Sequence, residues 1–367
     1  MEAIYYGIDL HSTQLTNHLI KNEEGKSIER KNEKIYVNQI KSKLLPNLTK
    51  DTHVCIEASC CTFKFAEMIR NHVKQVYVIN PLDFKSLYCS GKKTDKIDAK
   101  KLANRLKYYV ESEDKDEDFP LVYIPESHVI KMRKLFSVYK LVTGNMVSLK
   151  NRLHSILKSN MIFYKREHLF KVIEEQFKGD ELDDVDKFQI EILLEEISRL
   201  DDKIKMIKNK ILEIGYKHFE DEIKLLISIK GISDFTACAI MSDIGKIERF
   251  ANSKKLSSYL RSTSKVDSSN NVVKIGKRNK KGRKLSFELI IQGLNHIINS
   301  TPKFQRFYET KSKGKNKNVV RSAIVRKVIV AIFFMLRNKE IYNDYDKKNY
   351  ETKLKDFEKK KKIFFLN

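Results

Sequence analysis

A run of apolar residues near the middle of the chain is spaced in alternating steps of three and four. The residues are Ile190, Leu193, Ile197, Leu200, Ile204, Ile207, Ile211 and Ile214, with charged residues between them. Only an α-helix places this spacing on one narrow face, so the pattern predicts a long helix in a coiled coil or antiparallel hairpin. Its partner is either a helix predicted near residues 127–160 or a second copy. We favour self-association, because an ordinary core face is wider than this stripe.

The chain carries a large excess of positive charge. Of its 367 residues, 72 are lysine or arginine and 48 are aspartate or glutamate, which gives a net charge of +24. Such an excess favours a polyanionic partner, and nucleic acid is the simplest one. A codon bias toward lysine is the alternative, since it would raise the charge without functional meaning.

The sequence contains no segment typical of export or membrane insertion. Its longest apolar run, Val328 to Leu336, has nine residues, whereas a membrane span needs about 20. The start of the chain lacks a basic segment followed by an apolar core. The five cysteines have no metal-type spacing, and their odd number argues against a secreted disulfide framework. We therefore expect a cytoplasmic, nucleoid-associated protein without membrane contact.

The first 110 residues alternate between strand and helix patterns. Strands are predicted at 3–9, 15–21 and 28–37, followed by a helix at 37–45, a strand at 53–57, a helix at 62–73, a strand at 75–80 and helical residues to about 109. Three meandering strands followed by strand–helix units are typical of a ribonuclease-H-like α/β domain, a mixed sheet with helices on its faces.

The remaining chain is predicted to be mostly helical. We expect an acidic linker at 111–126, a helical, coiled-coil connector at 127–220, a helical C-terminal domain at 221–340 and a basic tail at 341–367 that either docks as a helix or frays.

Four acidic residues stand where predicted elements of the first domain end or begin. Asp9 ends the first strand, Glu57 ends the fourth, and Asp95 and Asp98 open a helix on one face. Because burying an unpaired carboxylate is costly, this grouping indicates a site that needs concentrated negative charge. Oxygen ligands of this kind bind Mg²⁺ or Mn²⁺, and such ions catalyse phosphoryl chemistry. A turn residue, a helix N-cap and a dipole partner are the ordinary alternatives for single members.

Two groups of basic residues are predicted to contact nucleic-acid phosphates. The first flanks the acidic helix: Lys92, Lys93 and Lys96. The second lies in a run without any acid: Lys274, Lys277, Arg278, Lys280, Lys281, Arg283 and Lys284. A solvated surface is the usual alternative for such runs. His11 and the adjacent Cys60 and Cys61 show no metal-type spacing and are interpreted as structural.

Three short blocks resemble a known family. Gly7-Ile-Asp-Leu-His11, Ile56-Glu-Ala-Ser59 and Lys93-Thr-Asp-Lys-Ile-Asp-Ala99 resemble the motifs of DEDD-type transposases with a RuvC-like N-terminal domain. These are insertion-sequence enzymes now described as bridge-RNA-guided recombinases. The resemblance resumes at residues 226–237, 300–308 and 325–328 and so covers nearly the whole chain.

The resemblance implies specific roles for residues of this sequence. Asp9, Glu57, Asp95 and Asp98 match a metal-binding tetrad, and Ser269 matches a nucleophile that forms a phosphoserine link to DNA, with Ser268 beside it. The block around the serine departs from the family, since residues 261–264 read Arg-Ser-Thr-Ser in place of Gly-Leu-x-Pro and Asn270 follows the serine. Without the family, a solvated turn would be the simpler interpretation of the two serines.

The resemblance also implies partners and a reaction. It implies strand cleavage and rejoining of donor and target DNA, guidance by a structured RNA, and a dimer or tetramer. One alternative is a metal-dependent junction nuclease in which water attacks the phosphate and no covalent link forms. Another is a degenerate protein that binds nucleic acid without catalysis.

Overall fold

The computed structural model of the chain describes residues 3–23, 26–87, 94–113, 119–179, 181–269 and 272–365. The chain divides into two compact units, Met1–Pro125 and Glu126–Asn367. The first combines a sheet with helices, and the second is largely helical. This two-part division is coarser than the five segments expected from the sequence: it joins the connector, the C-terminal domain and the tail.

The first unit is built on a mixed five-stranded sheet. Its strands are β1 (Ile4–Leu10), β2 (Gln14–Glu23), β3 (Lys26–Tyr36), β4 (Thr52–Glu57) and β5 (Gln75–Ile79). They lie in the order β3-β2-β1-β4-β5. β1 is antiparallel to β2 and parallel to β4, which is in turn parallel to β5. The predicted alternation of strands and helices is therefore confirmed as a mixed α/β arrangement.

Helices cover both faces of this sheet. They are α1 (Thr62–Ile69), α2 (Pro81–Leu87) and α3 (Asp95–Glu111). The α-helix predicted at 37–45 is wrong in type: this stretch forms short 3₁₀ and π turns at Val37–Gln39, Ile40–Leu44 and Leu45–Asn47. Pro46 lacks the N–H that an α-helix would need to continue through it.

Side chains of β1 alternate between the two faces of the sheet, as the period of a strand requires. Tyr6 and Ile8 pack with α1 and the turns after β3. Tyr5 packs instead with Cys55 of β4 and with Leu102 of α3. Because alternate residues share a face, Asp9 in β1 and Glu57 in β4 both belong to the face that α3 covers.

The second unit contains ten α-helices and one β-hairpin among its described residues. The helices are α4 (Ser127–Ser159), α5 (Leu169–Gln176), α6 (Asp184–His218), α7 (Glu220–Ile227), α8 (Asp234–Ile244), α9 (Ser253–Tyr259), α10 (Leu285–Ser300), α11 (Pro302–Ser312), α12 (Lys317–Asn338) and α13 (Lys347–Phe365). The hairpin strands are β6 (Ser264–Ser269) and β7 (Val272–Arg278). Short 3₁₀ turns lie at Arg166–His168 and Ile247–Arg249.

The stripe of alternating isoleucine and leucine lies on α6 and is covered from within the chain. Ile190 and Ile197 share a cluster with Leu153 of α4, and Ile211 shares another with Met132 of α4. These contacts form the antiparallel hairpin, which is one of the two pairings that the spacing allowed. Pairing between copies remains a prediction, but it is not required to bury this stripe.

The C-terminal segment is a docked helix. Phe357 of α13 is 1% exposed, and the Lys353 ammonium donates to the carbonyls of Ile227, Ile229 and Ile232 at 2.8, 3.0 and 2.9 Å. The tail is therefore part of the second core. The apolar run at Val328 lies inside α12 in the same core, and every helix in the described ranges is too short or too polar to cross a bilayer.

Candidate active site

Two acidic residues stand at one edge of the first sheet because β1 and β4 are parallel. Ile8 of β1 lies opposite Ile56 of β4 in the strand register, so Asp9 and Glu57 each follow this aligned pair by one residue. Both belong to the sheet face covered by α3. The expectation that these two strand ends meet at one edge agrees with the register of the sheet.

The other two acids lie in the first turn of α3. Thr94 caps the helix: its side-chain hydroxyl accepts from the Ile97 N–H at 3.3 Å, and Asp95 and Asp98 follow. Thr94, rather than Asp95, is therefore the capping residue. Acids in the first turn interact favourably with the partial positive charge of the helix N-terminus. Both aspartates thus fit the local requirements of the helix as well as a site.

Gly7 brings α3 against β1. A Cβ atom at Gly7 would lie 2.1 Å from the Ala99 carbonyl oxygen and 2.4 Å from the Ala103 nitrogen. Only a residue without a side chain permits this backbone contact. Ala99 is one helical turn after Asp95, and Gly7 is two residues before Asp9, so the contact fixes the first turn of α3 beside the end of β1.

His11 links the two elements, although the sequence interpretation treated it as structural. Its Nε2 atom lies 3.3 Å from Asp9 Oδ2 and 3.7 Å from Asp95 Oδ2. One ligand atom from each of the three residues lies within 4.8 Å of the others. The position of His11 directly after β1, two residues beyond Asp9, is the sequence signal that could have identified it.

The electrostatics of Asp9 suit a bound cation. Its side chain is 17% exposed. Burial raises the pKa of the Asp9 carboxyl; His11 opposes this shift, whereas Asp95 and Asp98 add to it. The charged carboxylate is therefore disfavoured in the protein alone, and a nearby divalent cation would relieve that penalty. Carboxylate oxygens such as those of Asp9 and Asp95 are ligands that suit Mg²⁺ or Mn²⁺.

Basic residues accompany the acids. An open groove next to Asp95 is lined by Lys96 and by Lys34, with Thr16 and Thr94. Lys96 was predicted from the sequence; Lys34, on β3, was not, because only the sheet order brings β3 to this edge. Lys92 and Lys93 lie outside the described residues.

The serine predicted to be the nucleophile lies on a strand. Ser269 is the last residue of β6 and pairs with Val272 of β7, and Ser268 pairs with Val273. Their side chains lie outside the described residues. The helical C-terminal domain predicted from the sequence thus contains a hairpin, and the two serines belong to its ladder.

The base of this hairpin is joined to the helical core by hydrogen bonds. The Asn279 N–H donates to the Thr263 carbonyl at 2.8 Å, and the Arg283 N–H donates to the Tyr259 carbonyl at 2.8 Å. The Arg283 guanidinium also donates to Asp243, a carboxylate with no solvent exposure. Asp243 accepts further bonds from the Ser286 N–H and hydroxyl at 3.0 and 2.8 Å.

The basic run at 274–284 therefore contains residues with different environments. Arg283 is engaged by Asp243, which gives it an anchoring role, and the phosphate contact predicted for it stays a prediction. Lys280, Lys281 and Lys284 are exposed, and Lys284 pairs with Glu288 at 3.2 Å. The Arg278 guanidinium lies 4.3 Å from the ring centre of Phe287. The side chains of Lys274 and Lys277 lie outside the described residues.

Comparisons with known families match both units. A DEDD-type model described as a transposase matches residues 6–162, and a model described as the transposase IS116/IS110/IS902 family matches residues 223–309. No curated protein matches the chain. The mixed sheet, its acidic edge and these matches define a RuvC-like DEDD transposase, an enzyme that recombines DNA. The chain belongs to the IS110 family of insertion-sequence transposases.

Proposed function

We propose that this transposase cleaves and rejoins DNA in a reaction that depends on Mg²⁺ or Mn²⁺. Asp9, Glu57, Asp95 and Asp98 hold the ions, and Ser269 is the nucleophile. The observation that carries the proposal is the convergence of Asp9, His11 and Asp95 around one small volume, with ligand atoms within 4.8 Å. Divalent metals are typical of DEDD transposases, and carboxylate oxygens are ligands that suit them.

Each residue has a defined part in this proposal. A divalent ion at the carboxylates would polarise the scissile phosphate and stabilise the leaving oxygen. His11 orients the Asp9 and Asp95 carboxylates, and Lys34 and Lys96 attract the DNA backbone to the groove. The Ser269 oxygen forms a bond to phosphorus while a deoxyribose oxygen leaves and takes up a proton. The reverse exchange with a second DNA strand rejoins the backbone and restores the serine.

We further propose that a structured RNA encoded with the element guides the enzyme and that the enzyme acts as a dimer or tetramer. Two features support guidance. The chain has a net charge of +24, and the predicted contacts are to phosphates, which carry no sequence information. Base pairing with an RNA would then supply the choice of target. Cleavage with and without the RNA transcribed beside the reading frame tests this.

The chemistry is tested by cleavage of donor DNA, with protein–DNA adducts resolved on denaturing gels. In the presence of the RNA, we expect cleavage and an adduct with Mg²⁺, and neither with EDTA. Asp9→Asn and Glu57→Gln should abolish both, whereas Asp51→Asn, which changes an acid in the turn before β4, should not. Ser269→Ala should abolish the adduct, with Ser268→Ala as its matched control.

Three outcomes would contradict parts of the proposal. Continued cutting by Ser269→Ala without an adduct would identify a junction nuclease that uses water. Loss of the adduct only in Ser268→Ala would move the nucleophile by one residue. Binding without any cleavage, in the presence of the RNA and Mg²⁺, would identify a degenerate nucleic-acid-binding protein.

A further inference from the structure

A hollow of about 400 Å³ lies at the end of the α4–α6 hairpin, within the second unit. After α4 ends at Ser159, the chain turns back along the last turns of the helix. His154 and Lys158 of α4 line one side, and Phe163, Tyr164 and Arg166 line the other. A volume of this size is within the range of small-ligand pockets.

The walls of the hollow are held by polar contacts. His154 Nδ1 and the Tyr164 hydroxyl are 2.5 Å apart, and their rings are nearly parallel, with centres 5.7 Å apart. Arg166 Nη2 donates to Asn151 Oδ1 at 2.5 Å. These contacts fix an aromatic wall and the direction of one guanidinium before any ligand binds, which lowers the entropy cost of binding.

The charge of the hollow favours an anion. Its lining contains Lys158 and Arg166 and no carboxylate, and among the described residues no acid lies within ion-pair distance of either. Nearby acids are engaged elsewhere: Asp186 accepts from Asn160 at 2.7 Å, and Glu167 lies 3.8 Å from His168. The two cations are therefore not neutralised by the side chains that the structure describes.

Phe163 lies at the edge of the hollow and is exposed to solvent. Its side chain is 84% exposed, the highest value among the large apolar residues described. An exposed aromatic ring gains free energy when a flat partner covers it, and nucleic-acid bases are such partners. An exposed aromatic ring beside two cations matches the two parts of a nucleotide, its base and its phosphate.

We propose that this hollow binds one unpaired nucleotide of a single-stranded nucleic acid. The base lies on Phe163, and the adjoining phosphate contacts Lys158 and Arg166. The proposal assigns a binding site outside the acidic cluster and rests on the family's action on nucleic acid. It does not depend on the proposed cleavage chemistry. RNA and DNA single strands share this recognition chemistry, and the experiment distinguishes them.

The test uses the full-length protein and two probes of the same sequence, an eight-nucleotide single-stranded RNA and its DNA counterpart, each with one 2-aminopurine. We expect stacking on Phe163 to quench 2-aminopurine fluorescence. Phe163→Ala should remove the quench and weaken binding about tenfold, and Phe163→Trp should restore both. Arg166→Gln should weaken binding and lower the salt dependence by about one ion.

Two controls make the result specific. Met161→Ala removes a neighbouring side chain that is 75% exposed and does not line the hollow, so it should bind like the parent. A duplex of the same sequence should bind equally well to the parent and to Phe163→Ala. Asp9→Asn should keep the quench even though it lacks cleavage, which separates this site from the chemistry.

The outcomes are decisive in both directions. Quenching of only one of the two probes supports the site and identifies its source as RNA or DNA. No quench with the parent protein, or unchanged affinity and quench in both Phe163→Ala and Arg166→Gln, would overturn the proposal. Because Phe163 is solvent-exposed, its substitution should leave the melting temperature unchanged, and circular dichroism verifies this.

Discussion

Asp9 illustrates how a functional residue opposes stability. Its carboxylate is mostly buried and close to Asp95, and both features raise its pKa. Without a bound cation, His11 is the neighbour that favours the charged form of the Asp9 carboxyl. A site that binds a cation is therefore destabilised when the cation is absent, because burial and neighbouring like charges disfavour the charged carboxylate.

This gives a prediction for Asp9→Asn. Without metal, the substitution should raise the melting temperature by about 1–3 °C, because it removes a partly buried charge that is repelled by its neighbours. Adding Mg²⁺ should raise the melting temperature of the parent but not of the variant. Thermal unfolding in EDTA and in Mg²⁺ measures both effects. Destabilisation in EDTA together with a retained Mg²⁺ response would contradict the prediction.

At the level of secondary-structure elements, the site depends on how β1 and α3 pack. Among the described residues, His11 lies within ion-pair distance of both Asp9 of β1 and Asp95 in the first turn of α3. The backbone contact at Gly7 sets the distance between the two elements, and a Cβ there would approach Ala99 to 2.1 Å. A residue without chemical function therefore controls where Asp95 and Asp98 lie.

Gly7→Ala tests this control. The added methyl group must push α3 away, which should lower the free energy of unfolding by about 1–3 kcal/mol and remove the Mg²⁺-induced rise in melting temperature. Gly144→Ala is the matched control, since nothing lies within 4 Å of a Cβ in the middle of α4. There alanine should stabilise the helix by about 0.5–1 kcal/mol. Urea unfolding measures both variants, and equal effects would refute the argument.

The hairpin that carries Ser269 depends on a second pair of residues. Asp243 is fully buried, and breaking a buried charge pair costs about 3–5 kcal/mol when one partner is left alone. Asp243→Asn and Arg283→Met should each speed hydrogen exchange in β6 and β7. The double variant should lose less than the sum of the two, because no lone charge remains.

Glu288→Gln is the control for this cycle. Its ion pairs with Lys140 and Lys284 are at the surface, where such pairs contribute about 0–1 kcal/mol. It should leave the exchange of the hairpin unchanged. Strictly additive effects of Asp243→Asn and Arg283→Met would show that the pair does not anchor the hairpin.

For the whole molecule, the important feature is that the chain has two units with separate cores. The acidic site belongs entirely to Met1–Pro125, whereas the hairpin and the aromatic hollow belong to Glu126–Asn367. A ligand that binds one folded unit stabilises that unit by mass action. Metal and single-stranded nucleic acid should therefore stabilise different parts of the chain.

Calorimetry of the full chain tests this division. We expect Mg²⁺ to raise the melting temperature of the first unit and to leave that of the second unit unchanged. At a hundredfold excess over the dissociation constant, the free energy of unfolding of the first unit should rise by about 2.7 kcal/mol. EDTA should reverse the shift. Hydrogen exchange of the backbone amides assigns each transition to its unit. Protection of α10 or α12 by Mg²⁺ would contradict the expectation.

The sequence by itself determined the secondary structure of most elements and the candidate acids. Strand alternation and the steps of three and four are local patterns, so β1, β4 and α6 could be predicted from neighbouring residues alone. The motifs around Asp9, Glu57 and Asp95 were sufficient for the family. The sequence could not choose a partner for the α6 stripe, because an apolar face of this kind packs equally well on α4 or on another copy.

The tertiary structure decided what depends on distant residues meeting. The contact of Gly7 with Ala99, the position of His11 between two carboxylates and the burial of Asp243 against Arg283 all join segments that are far apart in the chain. The hollow at Phe163 could not be predicted either, because it forms only when the loop after α4 folds back along that helix. Local patterns specify which elements form, but distances between side chains arise only when those elements pack.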